Sequence, residues 1–322
     1  MNNNYYLGVD IGGTKCAVIA GTENMKILAR KSFPTQTNKG PWHTINLIIE
    51  NILSVVRQFG ISGLRAAGIS CGGPLDSKRG IVQSPPNLPG WDEIPIVKII
   101  NEKLNVPVYL QNDANACALA EWKFGAGKGT RNMVFLTFGT GMGAGIIIDG
   151  RLYSGTNDLA GEVGHIRLAA DGPEAYGKKG SFEGFCSGTG IALLAKEITR
   201  ERLKQGKTVT FCDTLQRISK ISARDVAEAA ERGDEVAKEI FRISGSYLGK
   251  GLSVIIDILN PEMIVIGSIY ARCRGLLEPS CLEVLMNEAL SPARKSCRIE
   301  PAALGEEVGD YASLSVAMVS GI

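Results

Sequence analysis

The stretch YYLGVDIGGTKCAVIA, residues 5–20, holds two short apolar runs on either side of a turn made of Gly12, Gly13 and Thr14. Apolar runs of this length that are rich in valine and isoleucine predict β-strands. The connection is far too short for the crossover that joins parallel strands, so the two strands are predicted to pair as an antiparallel hairpin. A third strand is predicted near residues 27–33.

A similar pattern returns in the second half of the chain. Residues 132–138 (NMVFLTF) predict a strand that runs into Gly139-Thr140-Gly141, and another strand is predicted over residues 143–149. The alternation of strands and helices, with this weak internal repeat, predicts an α/β fold of two lobes facing each other across a central cleft, with the glycine turns at the cleft. Further strands are predicted at 65–70, 106–111 and 263–266, and helices at 44–59, 95–104, 113–124, 234–258 and 310–320.

The composition of the 322 residues is that of a folded globular protein. Hydrophobic residues make up 44% and charged residues 21%, and the net charge is only +2. So weak a charge argues against dedicated binding to nucleic acid or to a membrane surface. No apolar run reaches the ~18 residues of a membrane-spanning helix, and the first residues lack the regions of a secretory signal. The eight cysteines include no CxxC pair, so we expect reduced thiols in a cytoplasmic protein.

The two glycine turns are candidates for phosphate binding. Glycine lets backbone N–H groups approach an anion because no Cβ stands in the way. Neither turn is a Walker P-loop or a dinucleotide-binding fingerprint, because no GxxxxGK[ST] occurs and no long helix follows either turn. Each turn taken alone is also typical of a plain tight hairpin. The residues assigned to phosphate binding in the first turn are Gly12, Gly13, Thr14 and Lys15, and Asp10 beside them is assigned to a hydrated Mg²⁺.

Asp113 is the candidate general base. It lies in the stretch Asn112-Asp113-Ala114-Asn115, between a predicted strand and a predicted helix. Two roles are open for its carboxylate, which could cap the helix by accepting free N–H groups or take the proton from an attacking hydroxyl. Phosphoryl transfer needs a carboxylate in the second role, together with stabilisation of the charge on the phosphate.

Five stretches of the chain resemble the ROK family of sugar kinases and repressors, within the actin, hexokinase and heat-shock ATPase superfamily. They are VDIGGTK (9–15), NLPGW (87–91), QNDANA (111–116), TFGTGMG (137–143) and AGEVGH (160–165). The order and spacing of these stretches carry the resemblance, which covers nearly the whole chain. It implies a two-lobed ribonuclease H-like fold, the actin-like ATPase duplication, with a smaller N-terminal domain (1–117 plus 304–322) and a larger C-terminal domain (118–303).

The resemblance also implies roles for individual residues. Asp113 would be the base that acts on the primary hydroxyl of the sugar, and Gly73 would approach the sugar through its backbone. Glu162 and His165 could instead be a plain pair in a surface loop. The other sugar-binding residues implied are Asn87, Asn112, Glu162, His165 and Glu183, and the residues implied to contact ATP are Gly139, Thr140 and Gly141 at the phosphates and Gly267 near the adenine.

The sequence departs from the family pattern in two places. Many members bind a structural zinc through this histidine and three cysteines in a CxCGxxxC pattern, whereas the matching stretch here, GPEAYGKKGSFE (172–183), contains no cysteine. Cys186 is a single cysteine out of register, and one histidine with one cysteine cannot complete a tetrahedral site, so we predict no structural zinc. The adenine-side stretch IGSI (266–269) lacks the usual Gly-Gly pair.

These features predict a glucokinase-like kinase that uses ATP and Mg²⁺ to phosphorylate the 6-hydroxyl of a hexose or N-acetylhexosamine, with glucose favoured and a homodimer expected by family resemblance. One alternative is a transcriptional regulator of the same family. Only nine residues precede Asp10, so we expect no helix-turn-helix domain there. The other alternative is a sugar-sensing protein that has lost catalysis, which the missing zinc ligands and the altered adenine segment motivate.

Overall fold

The computed structural model describes residues 4–319. The helices are α1 (Pro41–Phe59), α2 (Ile96–Leu104), α3 (Asp113–Phe124), α4 (Phe182–Phe185), α5 (Gly188–Lys204), α6 (Ala223–Glu231), α7 (Glu235–Leu259), α8 (Ile269–Glu288), α9 (Ser291–Ser296) and α10 (Val308–Val319). The strands are β1 (Tyr5–Ile11), β2 (Lys15–Gly21), β3 (Ile27–Pro34), β4 (Leu64–Cys71), β5 (Leu75–Asp76), β6 (Ile81–Val82), β7 (Val108–Asn112), β8 (Met133–Leu136), β9 (Ala144–Ile148), β10 (Arg151–Tyr153), β11 (Glu174–Ala175), β12 (Lys178–Lys179), β13 (Met263–Ile266) and β14 (Arg298–Pro301).

The chain folds into two compact units, and both combine strands with helices, as the sequence predicts. Of the residues described, those up to Arg131, Gly145–Ala160 and those from Ala303 onward form the first unit, and Asn132–Ala144 and Gly161–Ala302 form the second. Residues 118–131 and 145–160 were predicted to lie in the C-terminal domain, whereas they belong to the first unit. A compact unit and a family domain are different divisions, so the domain boundaries at 117 and 304 stay a prediction.

A five-stranded sheet forms the centre of the first unit, in the order β3-β2-β1-β4-β7. β1 and β2 pair antiparallel, which confirms the predicted hairpin. β4 lies parallel to β1, and β7 lies parallel to β4. Ile11 faces Cys71 and Cys71 faces Asn112, so the carboxyl ends of these three strands meet at one edge of the sheet. This edge carries both the Gly12 turn and Asp113.

Helix α10 lies close to one face of this sheet because two strands carry glycine there. A Cβ on Gly8 of β1 would collide with Ser313 Oγ, and a Cβ on Gly68 of β4 would collide with the backbone of Ser313 and Ala317. The alternate residues of β1 point to the opposite face, as strand geometry requires. There the buried residues Leu7, Val9 and Ile11 share a core with Ile45, Ile48, Ile52 and Val55 of α1.

Three parallel strands, in the order β8-β13-β14, run through the second unit. Val134 faces Ile264, and Ile264 faces Ile299. The helices beside them include the closely packed pair α7 and α8, where a Cβ on Gly249 would lie 2.5 Å from the carbonyl oxygen of Cys281. Strands β11 and β12 form a separate two-stranded hairpin ahead of the short helix α4.

The predicted elements are present, with differences at their ends. The helix predicted from residue 44 begins at Pro41, because proline suits the first turn of a helix where its missing N–H has no partner to lose. The strand predicted over 132–138 ends at Leu136, since the Thr137 N–H turns to donate to the carbonyl of Gly143. The last helix ends at Val319 in the described part of the chain, and residue 320 of its predicted range lies outside it.

The sequence predicts no membrane-spanning helix and reduced cysteine thiols. Among residues 4–319, no helix combines the length and the apolar character needed to cross a bilayer. All eight cysteines lie in this range and none is paired in a disulfide, as expected. Cys16, Cys71, Cys186, Cys212 and Cys281 are buried, where each serves as a small apolar side chain.

Candidate active site

The glycine turn between β1 and β2 is held from behind by the buried Thr35. The Gly12 N–H donates to the carbonyl of Lys15 (3.1 Å), and Thr35 donates through its hydroxyl to the carbonyl of Gly12 (2.6 Å) and through its N–H to the carbonyl of Thr14 (3.0 Å). These bonds hold the backbone of the turn in one conformation. The side chains of Thr14 and Lys15 are exposed, so they are accessible to a ligand.

Asn87 lies beside this turn, and it also lies beside Gly72, the chain neighbour of Gly73. A Cβ on Gly13 would lie 2.6 Å from the carbonyl oxygen of Asn87, and a Cβ on Gly72 would lie 3.2 Å from the Asn87 side-chain amide. Gly73 is exposed, and a Cβ there would meet no atom within 4 Å. No contact with any of residues 4–319 therefore requires glycine at position 73.

Asp10, at the end of β1, is a half-buried carboxylate crowded by other carboxylates. Burial and the negative charges of Asp310 and Asp113 raise the pKa of Asp10 to about 7, although Lys15 and Arg30 act in the opposite direction. Arg30 is itself engaged with Asp310 in an ion pair of 2.6 Å. A cation nearby would stabilise the ionised form of Asp10. The donor chemistry of Asp10 therefore fits a hydrated Mg²⁺.

Asp113 opens helix α3 directly after β7. The cap of the helix is Asn112, whose Oδ1 accepts a hydrogen bond from the Asn115 N–H (2.7 Å), so the capping role left open for Asp113 belongs to its neighbour. Asp113 Oδ1 accepts from the Ala114 N–H (2.8 Å). The residue keeps accessible surface, yet the surrounding protein desolvates its carboxyl and raises its pKa above the ordinary 3.8, against the lowering effect of N–H donors. A raised pKa makes the carboxylate a stronger base.

The second glycine turn, in the second unit, is closed by hydrogen bonds at its base and its tip. The Thr137 N–H donates to the carbonyl of Gly143 (2.9 Å), and the Gly143 N–H donates back to Thr137 Oγ1 (2.8 Å). The Gly188 N–H, at the start of α5, donates to the carbonyl of Gly139 (2.7 Å), and the Thr189 hydroxyl donates to the carbonyl of Thr140 (3.0 Å). The carbonyls of the turn are thus held by α5, and Thr140 is exposed.

Gly267 and Ser268 follow β13 and lie next to this turn. The Gly267 N–H donates to the carbonyl of Leu136 (3.0 Å), and the Ile269 N–H donates to the carbonyl of Phe138 (2.9 Å). Ser268 has φ 55° and ψ −110°, a conformation that glycine adopts far more readily. Ser268 therefore keeps a backbone conformation that is typical of glycine.

Glu162 and His165 lie in and beside a short 3₁₀ turn, Val163–His165. The segment reaches this position through Gly161, which has φ 92° and a Cβ position that would collide with the carbonyl oxygen of Ala144. Only glycine satisfies both conditions. Glu162 and His165 are exposed, so both side chains are accessible to a ligand.

Glu183, in α4, reaches the second glycine turn. Its Oε2 accepts hydrogen bonds from the Met142 N–H (2.8 Å) and from the Tyr176 hydroxyl (2.7 Å). A Cβ on Gly141 would lie 2.7 Å from the same oxygen. The contact between a predicted sugar-binding residue and a predicted phosphate turn has no signal in the sequence, because 41 residues separate Glu183 from Met142.

The residues around His165 do not fit a structural zinc. The described residues contain no group of three or more histidine, cysteine or acidic side chains that could hold a metal ion. Cys186 is fully buried and its thiol donates to the carbonyl of Ser244 (3.3 Å). A tetrahedral zinc site needs four nitrogen, sulfur or oxygen ligands, and these are not assembled here.

We expect the purified protein to contain no stoichiometric zinc, and its thermal unfolding midpoint to be the same with and without EDTA. A zinc-dependent fold would lose much of its stability under a chelator, because the binding free energy of a structural zinc is folding free energy. Atomic emission of the dialysed protein, with unfolding followed by circular dichroism, measures both quantities. A zinc content near one per chain would contradict this prediction.

The fold is that of the actin-like ATPases, as shown by its match to the ROK hexokinase of Thermus thermophilus, with a TM-score of 0.79 and 28% identity over 98% of this chain and 99% of the hexokinase. The chain belongs to the ROK family, whose model matches residues 6–315. A ROK glucokinase from Streptomyces griseus, solved with glucose and AMPPNP, also matches, with a TM-score of 0.76 and 27% identity over 98% of this chain and 99% of that enzyme.

Relatives by sequence include both enzymes and regulators. The glucokinase of Halalkalibacterium halodurans is 31% identical over 317 residues, which cover 96% of this chain and 93% of the relative. The xylose repressor of Bacillus subtilis is 28% identical over 306 residues, which cover 94% of this chain and 74% of the repressor.

Proposed function

We propose that this protein is a sugar kinase that transfers the γ-phosphoryl group of ATP to the 6-hydroxyl of a hexose or N-acetylhexosamine, with glucose as the first sugar to test. The observation that carries the proposal is Asp113. Its carboxyl is accessible at the start of α3, has a raised pKa, and stands on the same sheet edge as the Gly12 turn. The similarity to glucokinases supports the same reaction.

In the proposed reaction, Asp113 accepts the proton of the sugar hydroxyl as the hydroxyl oxygen bonds to the γ-phosphorus. The bond from that phosphorus to the bridging oxygen breaks, and ADP leaves. In the first unit, the backbone of the Gly12 turn and the Thr14 hydroxyl are candidate donors to phosphate oxygens, and in the second unit the Gly139–Gly141 turn and the Thr140 hydroxyl are candidate donors of the same kind. Mg²⁺ supplies charge neutralisation on the phosphates when bound, and Asp10 would hold it through water.

A second candidate is a sugar-responsive regulator without kinase activity. The similarity to xylose repressors and the absence of the family's zinc ligands favour it. Asp10, Asp113 and both glycine turns are all in place, and a protein that only senses sugar has no need of a general base. We therefore rank the kinase first.

ADP release measured against a panel of hexoses and N-acetylhexosamines tests the proposal. A kinase gives sugar-dependent ADP release with at least one of them, at a rate well above that with ATP alone. Calorimetric titration of the same sugars runs beside the assay. Sugar binding without ADP release for every sugar would favour the regulator instead.

The acid side of the pH profile provides a further prediction. A general base must be ionised to act, and the raised pKa of Asp113 means that it gains a proton at a higher pH than an ordinary aspartate does. kcat/KM should therefore fall as the pH is lowered, with the midpoint of the fall above 3.8, the ordinary value. Initial rates across the pH range with a saturating coupling system measure this. A kcat/KM that stays flat down to the ordinary value would contradict the prediction.

A further inference from the structure

Tyr176 stands at the tip of the hairpin formed by β11 and β12. Ala175 faces Lys178 across the hairpin, and the two residues between them, Tyr176 and Gly177, have φ values of 55° and 66°. Two consecutive residues with positive φ define the type I′ turn that suits a two-residue hairpin. The turn fixes where the tyrosine side chain projects.

Tyr176 contacts two side chains that the proposed function assigns to sugar binding. Its ring stacks on the ring of His165, with the centroids 3.7 Å apart and an angle of 22° between the planes. Its hydroxyl donates to Glu183 Oε2 (2.7 Å), the oxygen that also accepts from the Met142 N–H. On the next strand, the ammonium group of Lys178 donates to the carbonyl of His165.

The backbone at position 176 supports a role for this side chain. Asparagine and glycine adopt positive φ far more readily than tyrosine does, and Asn-Gly is the favoured pair for this turn. The positive φ of the turn, taken alone, therefore disfavours a tyrosine at position 176. The stack on His165 and the hydrogen bond to Glu183 explain why a tyrosine stands there.

We propose that Tyr176 positions His165 and Glu183 for sugar recognition. This inference rests on the proposed function for the role of the two side chains, whereas the contacts themselves do not depend on it. Tyr176 is a positioning residue, because it acts on the sugar through its two neighbours.

Two substitutions separate the ring from the hydroxyl. Tyr176→Asn removes both and creates the Asn-Gly pair, so the hairpin itself is kept. Tyr176→Phe keeps the stacking ring and removes the hydroxyl alone. Tyr153→Phe, at another half-exposed tyrosine on β10, is the matched control for the loss of a tyrosine hydroxyl.

The ring contact can be tested without any substrate. The chain has only two histidines, so in a His43→Gln background the remaining imidazole C–H signals in the proton NMR spectrum belong to His165. A stacked tyrosine ring shifts those signals upfield. We expect the upfield shift in the parent and in Tyr176→Phe, and its loss in Tyr176→Asn. The same His165 signals in all three proteins would overturn the inference.

Sugar affinity tests the consequence of the contact. Loss of the hydrogen bond to Glu183 in Tyr176→Phe should weaken sugar binding by about tenfold. Loss of the ring as well in Tyr176→Asn should weaken it by about thirtyfold. The KM for ATP should stay unchanged in both, because Met142 still holds Glu183 at the phosphate turn. Calorimetry gives the sugar affinity, and Tyr153→Phe should match the parent.

The outcomes distinguish the inference from the proposed function. Unchanged sugar affinity in Tyr176→Asn, or an equal loss of ATP and sugar affinity, would overturn the positioning role even if the protein is a kinase. Failure of the parent protein to bind or phosphorylate any sugar would overturn the proposed function and, with it, the sugar-binding consequence. The NMR comparison would still decide the contact between Tyr176 and His165.

Discussion

Asp113→Asn should lower kcat for sugar phosphorylation by about a thousandfold, within the range that a general base contributes. The amide of asparagine cannot take up the proton of the attacking hydroxyl. The substitution leaves the fold of the site in place, because the side-chain oxygen of asparagine can still accept the Ala114 N–H that Asp113 Oδ1 accepts now (2.8 Å). The cap of α3 is also untouched, since Asn112 provides it.

Steady-state ADP release gives kcat for this variant, and calorimetric titration gives its affinity for the sugar. Sugar affinity should stay close to that of the parent, so the loss lies in kcat. Asp149→Asn is the control, because it makes the same change at an exposed turn aspartate with a positive φ that asparagine tolerates. Near-normal turnover of Asp113→Asn would remove Asp113 from the role of base.

Glu121→Gln should lower the free energy of unfolding by about 3 kcal/mol, because it leaves at least one partly buried backbone N–H group without its charged acceptor. Glu121 is fully buried in α3. Its carboxylate accepts from the backbone N–H groups of Ala126 (2.8 Å), Ala303 (3.1 Å) and Leu304 (2.8 Å). The side chain thus ties the segment before α10 to the helix that begins at Asp113.

A glutamine has only one side-chain oxygen to accept from these three donors. Its NH₂ group, which is itself a donor, would face at least one of the backbone N–H groups. Urea unfolding monitored by circular dichroism measures the change through the transition midpoint. Glu102→Gln, on the exposed face of α2, is the control and should unfold like the parent. An unchanged midpoint for Glu121→Gln would show that these hydrogen bonds contribute nothing to the stability of the first unit.

The β1–β2 hairpin follows from local sequence. Residues 5–20 alternate a strand, a glycine turn and a strand within hydrogen-bonding reach, so neighbouring residues alone determine the pairing. The motif stretches likewise predict Asp113 as the general base and both glycine turns as phosphate-binding turns, because each stretch consists of neighbouring residues. The N-cap of α3 is harder to predict from sequence, because Asn112 and Asp113 are both favourable N-cap residues. Only their backbone angles decide which of the two caps the helix.

The contacts of Tyr176 could not be predicted from sequence. They depend on the angle at which the β11–β12 hairpin projects and on the rotamers of three side chains that lie on different elements. Read as sequence, the stretch 172–183 shows only that it contains no cysteine. The link from Glu183 to Met142 likewise arises from tertiary packing of α4 on the second glycine turn.

The most direct test of the proposed kinase is the identity of its product. The protein should be incubated with MgATP and the sugar that gives the fastest ADP release, and the product examined by phosphorus NMR with proton coupling. Transfer to the 6-hydroxyl predicts a new phosphate-ester signal split by the two protons of a CH₂ group, appearing in step with ADP. A splitting by a single proton would place the phosphate on a ring hydroxyl, and the appearance of inorganic phosphate alone would show hydrolysis of ATP without transfer.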